Sequence, residues 1–287
     1  MSPAISRRAF IAGTAGSLAL AACGSSGPQP QSLVVQFADG FRAPSVAVPG
    51  VKQRFPFAIG GTDGLPLTTT APTEVVMELL FQGEVVETQT VAARGVGQFT
   101  PFYPLTFTPE STGEYTVRTE FTEFDVPFAV VDRSETTLFQ IGEEIASFVT
   151  PTFEDSAGVN VLCTRNPDPC PFHEITLEEA LTNDLPTALL IATPQFCQTQ
   201  VCGPNVEWLI ELAGDRTDIN VIHMEVYEDF QRDIDAGVFP AIRAPFLEEW
   251  DFAFEPSLFV VDAGGSIVDA LHFAFDRSEM AESLSLI

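Results

Sequence analysis

The residues with the clearest chemical potential in this sequence are its cysteines. The chain of 287 residues holds five Cys, and four of them lie in its second half. Their spacing predicts two local pairs, Cys163 with Cys170 and Cys197 with Cys202. In a chain that works outside the cytoplasm, an even number of cysteines indicates disulfides or thiol redox chemistry.

The second pair lies where a strand gives way to a helix. Residues 187–192 form a continuous apolar run, typical of a strand buried on both faces. Residues 204–213 carry apolar side chains at helical spacing, so Cys197 comes just before a helix. Unpaired backbone N–H groups at a helix N-terminus favour a thiolate, which is the reactive form of cysteine.

A bond between Cys197 and Cys202 places a condition on that helix. Five residues along a regular helix put two side chains about 140° apart, too far for a disulfide. If the two bond, the first turn must be irregular. Gly203 and Pro204 predict a helix that begins only at about residue 203, with the pair in a loop that caps it.

Charge limits both the reactivity of this pair and the partners of the chain. Forty acidic residues face 13 basic ones, for a net charge of −27, and Lys52 is the only lysine. Residues 187–215 contain no Lys, Arg or His to stabilise a thiolate, so we expect only modest activation. A surface this negative repels nucleic acid and anionic membranes, so neither is an expected partner.

The first residues carry an export signal. Arg7-Arg8 precedes an apolar run over residues 10–22, too short to cross a bilayer, which needs about 20 residues. Leu20-Ala21-Ala22-Cys23-Gly24 resembles the lipobox of bacterial lipoproteins, which implies that Cys23 is lipidated and becomes the mature N-terminus. The alternatives are a general-secretion signal with two arginines and an ordinary signal peptide with a chance Cys.

The remaining length favours two domains. Residues 24–31 are a flexible tether, and residues 32–134 alternate and turn often, which predicts a small antiparallel sandwich. Its Gly113-Glu114-Tyr115 turn resembles the late-strand turn of immunoglobulin-like domains. The predicted strands of this part are 33–37, 54–59, 74–81, 84–92, 115–121 and 127–131.

The chain from 135 to 287 is predicted to be an α/β domain. Its predicted strands are 187–192, 220–226, 257–262 and 267–273, and its predicted helices are 175–181, 204–213 and 277–286. Phe196-Cys197 after a buried strand, with Pro256 at the head of a later strand, resembles the thioredoxin fold family. The resemblance covers residues 138–287. It implies that Pro256 is cis and packs against the active-site Cys197.

This sequence also departs from the thioredoxin pattern. Cys197 and Cys202 are separated by four residues instead of two, and Asn205 holds the place after Gly-Pro where a resolving Cys could stand. The buried acid expected in the strand before the Cys is missing. A Cys-x-x-x-x-Cys pair also resembles one peroxiredoxin class, but Thr193 is out of register and nothing in the sequence fixes Arg243 as the activating arginine.

The first cysteine pair is predicted to be structural. A Cys163–Cys170 bridge would close a loop already stiffened by two prolines. His173, three residues after Cys170, could instead join it on zinc. Copper chaperones of the thioredoxin fold use a different Cys spacing with a later His, so His223 and His272 are interpreted as core or surface residues.

Two functions remain open. In the first, the protein is an exported, lipid-anchored thiol–disulfide oxidoreductase that acts on protein thiols or disulfides. Cys197 is then the nucleophile, Cys202 the resolving residue and Pro256 the shaper of the substrate groove. In the second, both cysteine pairs are staples and the protein binds a partner at the cell surface. Neither function requires a cofactor or metal, and the lipid on Cys23 is the only expected contact with the membrane.

Overall fold

The architecture is that of a computed structural model, which describes residues 32–35, 45–122, 124–197, 201–250 and 255–287, without the side chains of 248–250. The predicted export signal, the predicted lipobox with Cys23 and the predicted tether at 24–31 lie outside the described residues. Among the described residues, no helix has the length and apolar character that a membrane span requires. The molecule is rich in β structure, with three sheets and a few short helices.

The N-terminal part consists of two antiparallel sheets. One has the strand order β1-β2-β5 and the other has the order β4-β3-β6-β7. Apolar side chains from both sheets fill one shared core, in which Phe55, Phe107 and Phe128 meet edge to face or tilted. The strands are β1 Ser32–Val35, β2 Gln53–Gly60, β3 Glu74–Phe81, β4 Glu84–Ala92, β5 Tyr103–Phe107, β6 Gly113–Thr119 and β7 Val126–Val130.

Strand β5 is the element of this part that the sequence analysis missed. It is five residues long, with Pro104 at its second position, and a proline in a short run argues against a strand. Tertiary pairing decides the matter, because Pro104 faces Pro56 of β2 in the antiparallel register. The side chains of β5 alternate between the core and the outer face, as those of a half-buried strand do.

The C-terminal part is built on a four-stranded mixed sheet in the order β11-β10-β8-β9. Strands β8 and β9 are parallel, whereas β10 runs antiparallel to both β8 and β11. Every residue of β8 and of β10 is buried, as the apolar runs predicted. The strands are β8 Thr187–Ile191, β9 Asn220–Met224, β10 Ser257–Val261 and β11 Ile267–His272.

Helices pack on both faces of this sheet. One face packs against α2 (Cys202–Ala213) and α5 (Arg277–Leu284), and the other against α1 (Leu177–Ala180) and α4 (Pro245–Trp250). Helix α1 begins at the predicted cap, where the Thr176 side chain accepts from the Glu179 N–H and the Glu179 carboxylate accepts in return. Helices α3 (Phe230–Asp235) and α4 were not predicted, because each spans six residues and shows little periodicity.

The two parts are joined by a nearly buried ion pair. The Arg54 guanidinium of β2 donates two hydrogen bonds of 2.9 Å to the Glu279 carboxylate of α5, and the two side chains are 10% and 8% exposed. It also donates to the Ala274 carbonyl at 2.6 Å. At the rim, Arg94 pairs with Glu282 in a more exposed position. The sandwich is therefore docked on the face formed by β11 and α5.

Candidate redox site and a second cysteine cluster

The predicted Cys197–Cys202 pair is a disulfide. Cys197 lies in the turn that follows β8, Cys202 is the first residue of α2, and their Cα atoms are 6.0 Å apart. Cys202 is fully buried, whereas Cys197 is half-buried, so the two sulfurs differ in their access to solvent. The helix begins at Cys202, one residue before the predicted start, so Cys202 is its first residue and Cys197 precedes it in the chain.

A buried carboxyl lies beside this disulfide. The Oε2 atom of Glu255 accepts a 2.9 Å hydrogen bond from the Thr193 N–H and is 4.0 Å from Cys202 Sγ. One of its carboxylate oxygens and both sulfurs lie within 4.8 Å of one another. Burial raises the pKa of Glu255 to about 7, against the lowering effect of the hydrogen bonds from Thr193. This group is therefore poised to exchange a proton near neutral pH.

The sequence analysis missed Glu255 because it sought an acid in the strand before Cys197. The acid comes instead from the residue that precedes Pro256. The Glu255–Pro256 peptide bond is cis, as the thioredoxin resemblance implied. Since the carboxyl of the adjacent residue reaches both sulfurs, Pro256 lies at the same end of the sheet as the disulfide. The signal that could have found Glu255 is its place beside a proline that the resemblance already put near Cys197.

A surface cleft of about 330 Å³ is bordered by Gln195 and Phe196, the two residues before Cys197, and by Cys163. Aromatic rings line part of it, with Phe196 stacked on Phe230 and Tyr227 set edge to face against Phe230. Arg165 also lines it. Phe196 directly precedes Cys197, so the cleft borders the loop that carries the disulfide.

The other two cysteines do not form the predicted bridge. Cys163 and Cys170 are free thiols, and both are buried. They share their surroundings with two buried histidines, His173 and His223, and one ligand atom from each of the four lies within 4.8 Å of all the others. The bond is not made because both sulfurs turn toward the Nδ1 atom of His223, at 3.7 Å from Cys163 and 3.3 Å from Cys170.

These four side chains have strongly shifted acidities. Hydrogen bonds from Cys170 and from the two histidines lower the pKa of the Cys163 thiol, although burial opposes the shift. The hydrogen bond to Cys163, together with burial, raises the pKa of Cys170. Burial lowers the pKa of His173. For His223 burial also lowers the pKa, but the interaction with Cys163 outweighs it and the net shift is upward.

His223 is the member of this cluster that the sequence analysis placed elsewhere. It was interpreted as a core or surface residue, and its side chain in fact faces two thiols. The signal was the strand period, because His223 lies between Ile222 and Met224 and so faces away from the core that those two side chains share. His272 lies apart from this cluster in β11, where its ring hydrogen-bonds to the Ser257 hydroxyl at 2.8 Å. Arg243 pairs with Tyr227 through a backbone bridge.

Comparisons with known proteins give little guidance. No family model and no curated protein matches the chain. Among solved structures, it is similar to the solution structure of "a putative protein disulfide isomerase from Bacteroides thetaiotaomicron", with 13% identity and a TM-score of 0.35, over 52% of this chain and 89% of that one. It is also similar to a ZirS C-terminal domain, with 13% identity and a TM-score of 0.23, over 46% of this chain and 87% of that one.

Proposed function

We propose that this protein is an exported thiol–disulfide oxidoreductase of thioredoxin-like type whose redox centre is the Cys197–Cys202 disulfide. The observation that carries the proposal is an asymmetric disulfide, with one half-buried and one buried sulfur, beside a buried carboxyl of raised pKa. Such a centre offers one sulfur to a partner and keeps the other for the intramolecular step. The substrate class is protein thiols and disulfides outside the cytoplasm.

The first step is attack on the sulfur of Cys197, the more accessible of the two cysteines. A substrate thiolate attacks Cys197 Sγ, a mixed disulfide forms, and Cys202 leaves as a thiolate. A second substrate thiolate then attacks the substrate sulfur of the mixed disulfide and releases the Cys197 thiolate. The substrate dithiol is thereby oxidised to a disulfide, and the Cys197–Cys202 pair takes up the two electrons. The reverse exchange with another disulfide returns the pair to its oxidised state.

Glu255 acts as the general acid for the leaving thiolate of Cys202. Its carboxyl is 4.0 Å from Cys202 Sγ and has a pKa of about 7, so it can protonate the departing thiolate. In the reverse direction the carboxylate takes the proton of the Cys202 thiol and makes that sulfur nucleophilic. This role matters here because residues 187–215 provide no cation to stabilise a thiolate.

The remaining parts of the proposal concern location and architecture. Arg7-Arg8 and the lipobox ending at Cys23 support export and a lipid anchor at the outer face of the cytoplasmic membrane. The two antiparallel sheets then form an immunoglobulin-like spacer, and Pro256 borders the groove that receives the substrate. The twin-arginine signal is typical of export in the folded state.

The decisive experiment is to trap a substrate. In the full-length protein, Cys202→Ser removes the resolving sulfur, and we expect mixed disulfides with exported proteins to accumulate on Cys197. The matched control is Cys197→Ser, which keeps Cys202 but removes the accessible sulfur and should trap far less. Dithiothreitol should reduce the wild-type disulfide while the chain stays folded, as monitored by circular dichroism.

One outcome would favour the second function, in which the disulfide is only a staple. If the bond resists dithiothreitol until the domain unfolds, and if Cys202→Ser traps no more than Cys197→Ser does, the oxidoreductase proposal fails. The protein would then be a surface lipoprotein that binds its partner without redox chemistry.

A further inference from the structure

We propose that Cys163, Cys170, His173 and His223 form a binding site for a zinc ion. The site is separate from the disulfide, and the inference does not depend on the redox function. Two thiols and two imidazoles are the ligand set of a tetrahedral structural zinc site. Three of the ligands come from the loop before α1, and the fourth comes from strand β9.

The distances between the ligand atoms fit one metal ion. A tetrahedron with Zn–S bonds of about 2.3 Å and Zn–N bonds of about 2.0–2.1 Å has edges of about 3.3–3.8 Å. His223 Nδ1 is 3.7 Å from Cys163 Sγ, 3.3 Å from Cys170 Sγ and 3.4 Å from His173 Nε2. Cys170 Sγ is 3.3 Å from His173 Nε2. Four of the six edges therefore have the required length, and all six are below 4.8 Å.

Hydrogen bonds from the surroundings favour the protonation states of His223 and Cys163 that metal binding requires. His223 Nε2 lies 2.8 Å from the Ala192 carbonyl oxygen, which can only accept, so Nε2 carries the proton and Nδ1 is free to bind a metal. The Cys170 N–H donates to Cys163 Sγ at 3.5 Å, a contact that stabilises a thiolate. Ordinary packing of two thiols and two rings does not require these orientations.

Charge and burial identify the site as structural. All four residues are buried, and three of them have no exposed surface. Two thiolates neutralise Zn²⁺, so the filled site buries no net charge. All four positions around the ion are taken by protein atoms, so no position is open to a substrate. Binding releases the protons of whichever thiols are still protonated.

The site lies directly behind the redox loop. The carbonyl that holds His223 belongs to Ala192, one residue before the backbone N–H that binds Glu255. On the outer side, Cys163 borders the cleft beside Phe196, which gives an ion a path to the site. Zinc would therefore fix the strand end and the loop from which Cys197 projects. It would also keep Cys163 and Cys170 from forming a disulfide in an oxidising compartment.

Metal content of the full-length protein tests the inference. When the chain is purified without chelators, we expect about one zinc per chain, and cobalt in its place should show the absorption of a tetrahedral thiolate complex. Cys170→Ser should lose the zinc. The control is the double variant Cys197→Ser/Cys202→Ser, which removes two sulfurs outside the proposed site and should keep the zinc.

If Cys170→Ser does not fold, two further measurements on the wild-type protein still test the inference. X-ray absorption at the zinc edge of the wild-type protein should show two sulfur and two nitrogen neighbours, and a chelator should lower the wild-type Tm. The inference is wrong if the wild-type chain takes up no zinc when it is supplied, if peptide mapping finds a Cys163–Cys170 disulfide, or if the metal shell lacks sulfur. Loss of zinc from the double variant would likewise overturn it.

Discussion

The two cysteine pairs of this protein lie on the same domain and differ in nearly every physical respect. Cys197 and Cys202 are bonded, and Cys197 is half-buried and follows Phe196, which lines an aromatic cleft. Cys163 and Cys170 are free, buried, and turned toward two histidines. In sequence both look alike, as two cysteines separated by a few residues. The neighbours that the fold brings to each pair decide its chemistry.

The difference shows which neighbours matter. The bonded pair has a carboxyl beside it, which can exchange protons but is not a soft ligand for a metal. The free pair has imidazole nitrogens, which bind a metal together with thiolates. The carboxyl therefore suits the bonded pair to the proposed thiol exchange, and the two imidazoles suit the free pair to the proposed metal site.

The largest effect is expected from removal of the histidine ring at the free pair. His223→Ala deletes a fully buried ring and its hydrogen bond to Ala192, which should lower the free energy of unfolding by about 3–5 kcal/mol. His272→Ala, the matched control, also removes a ring from the sheet and should destabilise as well. A chelator should lower the Tm of the control but not that of His223→Ala. If the chelator changes the Tm of both variants equally, His223 does not differ from His272 in metal binding.

The next effect concerns the carboxyl at the bonded pair. The folded chain holds the proton of Glu255 up to a pKa of about 7, against an ordinary value of 4.5. Folding therefore takes up a proton between these values, and the free energy of unfolding falls as the pH rises through that window. Glu255→Gln has no carboxyl to titrate, so its free energy of unfolding should not fall over this pH range. Above pH 7 the variant should be more stable than the wild type by up to about 3 kcal/mol.

Urea unfolding at several pH values measures the effect, with the exposed Glu178→Gln as a control that should follow the wild type. The stability gain of Glu255→Gln should shrink toward pH 4, where the wild-type carboxyl is protonated in both states. The same variant should exchange its disulfide more slowly. A gain that does not depend on pH would show that Glu255 is not the group that titrates.

A smaller effect separates the two pairs by their response to reductant. The Cys197–Cys202 bond closes a short loop, so its loss should lower the free energy of unfolding by about 2 kcal/mol. Dithiothreitol should lower the free energy of unfolding of the wild type by this amount and leave that of Cys197→Ser/Cys202→Ser unchanged. If the reductant also destabilises the double variant, Cys163 and Cys170 hold a bond of their own and the contrast disappears.

The smallest effect tests whether the two regions are linked. The Thr164 hydroxyl accepts from the Gln195 N–H at 3.2 Å and donates to Glu225 at 2.9 Å, so it ties the loop of the free pair to the loop of the bonded pair. Thr164→Val should cost about 1 kcal/mol and speed reduction of the disulfide by about fivefold. Thr152→Val is the control, since its hydroxyl bonds only within its own loop. Equal reduction rates in the two variants would mean that the regions are independent.

Local pattern was enough to predict many elements of this fold. The buried strands β8 and β10 follow from continuous apolar runs, and the start of α1 follows from the capping sequence at Thr176. The Cys197–Cys202 pairing followed from spacing and from the Gly203-Pro204 signal. Each of these depends on residues close together in the chain. Strand β5, by contrast, exists because Pro104 meets Pro56 of a distant strand, and no local signal reports that contact.

The sequence by itself determined where the cysteines stand, which of them can reach one another along the chain, and that residues 187–215 supply no cation to a thiolate. Only the tertiary structure decided what surrounds them. Glu255 lies beside Cys202 although 53 positions separate them in the chain, and the same number separates His223 from Cys170. The reason is that spacing fixes local geometry, whereas acidity and metal affinity depend on burial and on side chains that the packing of the mixed sheet brings together.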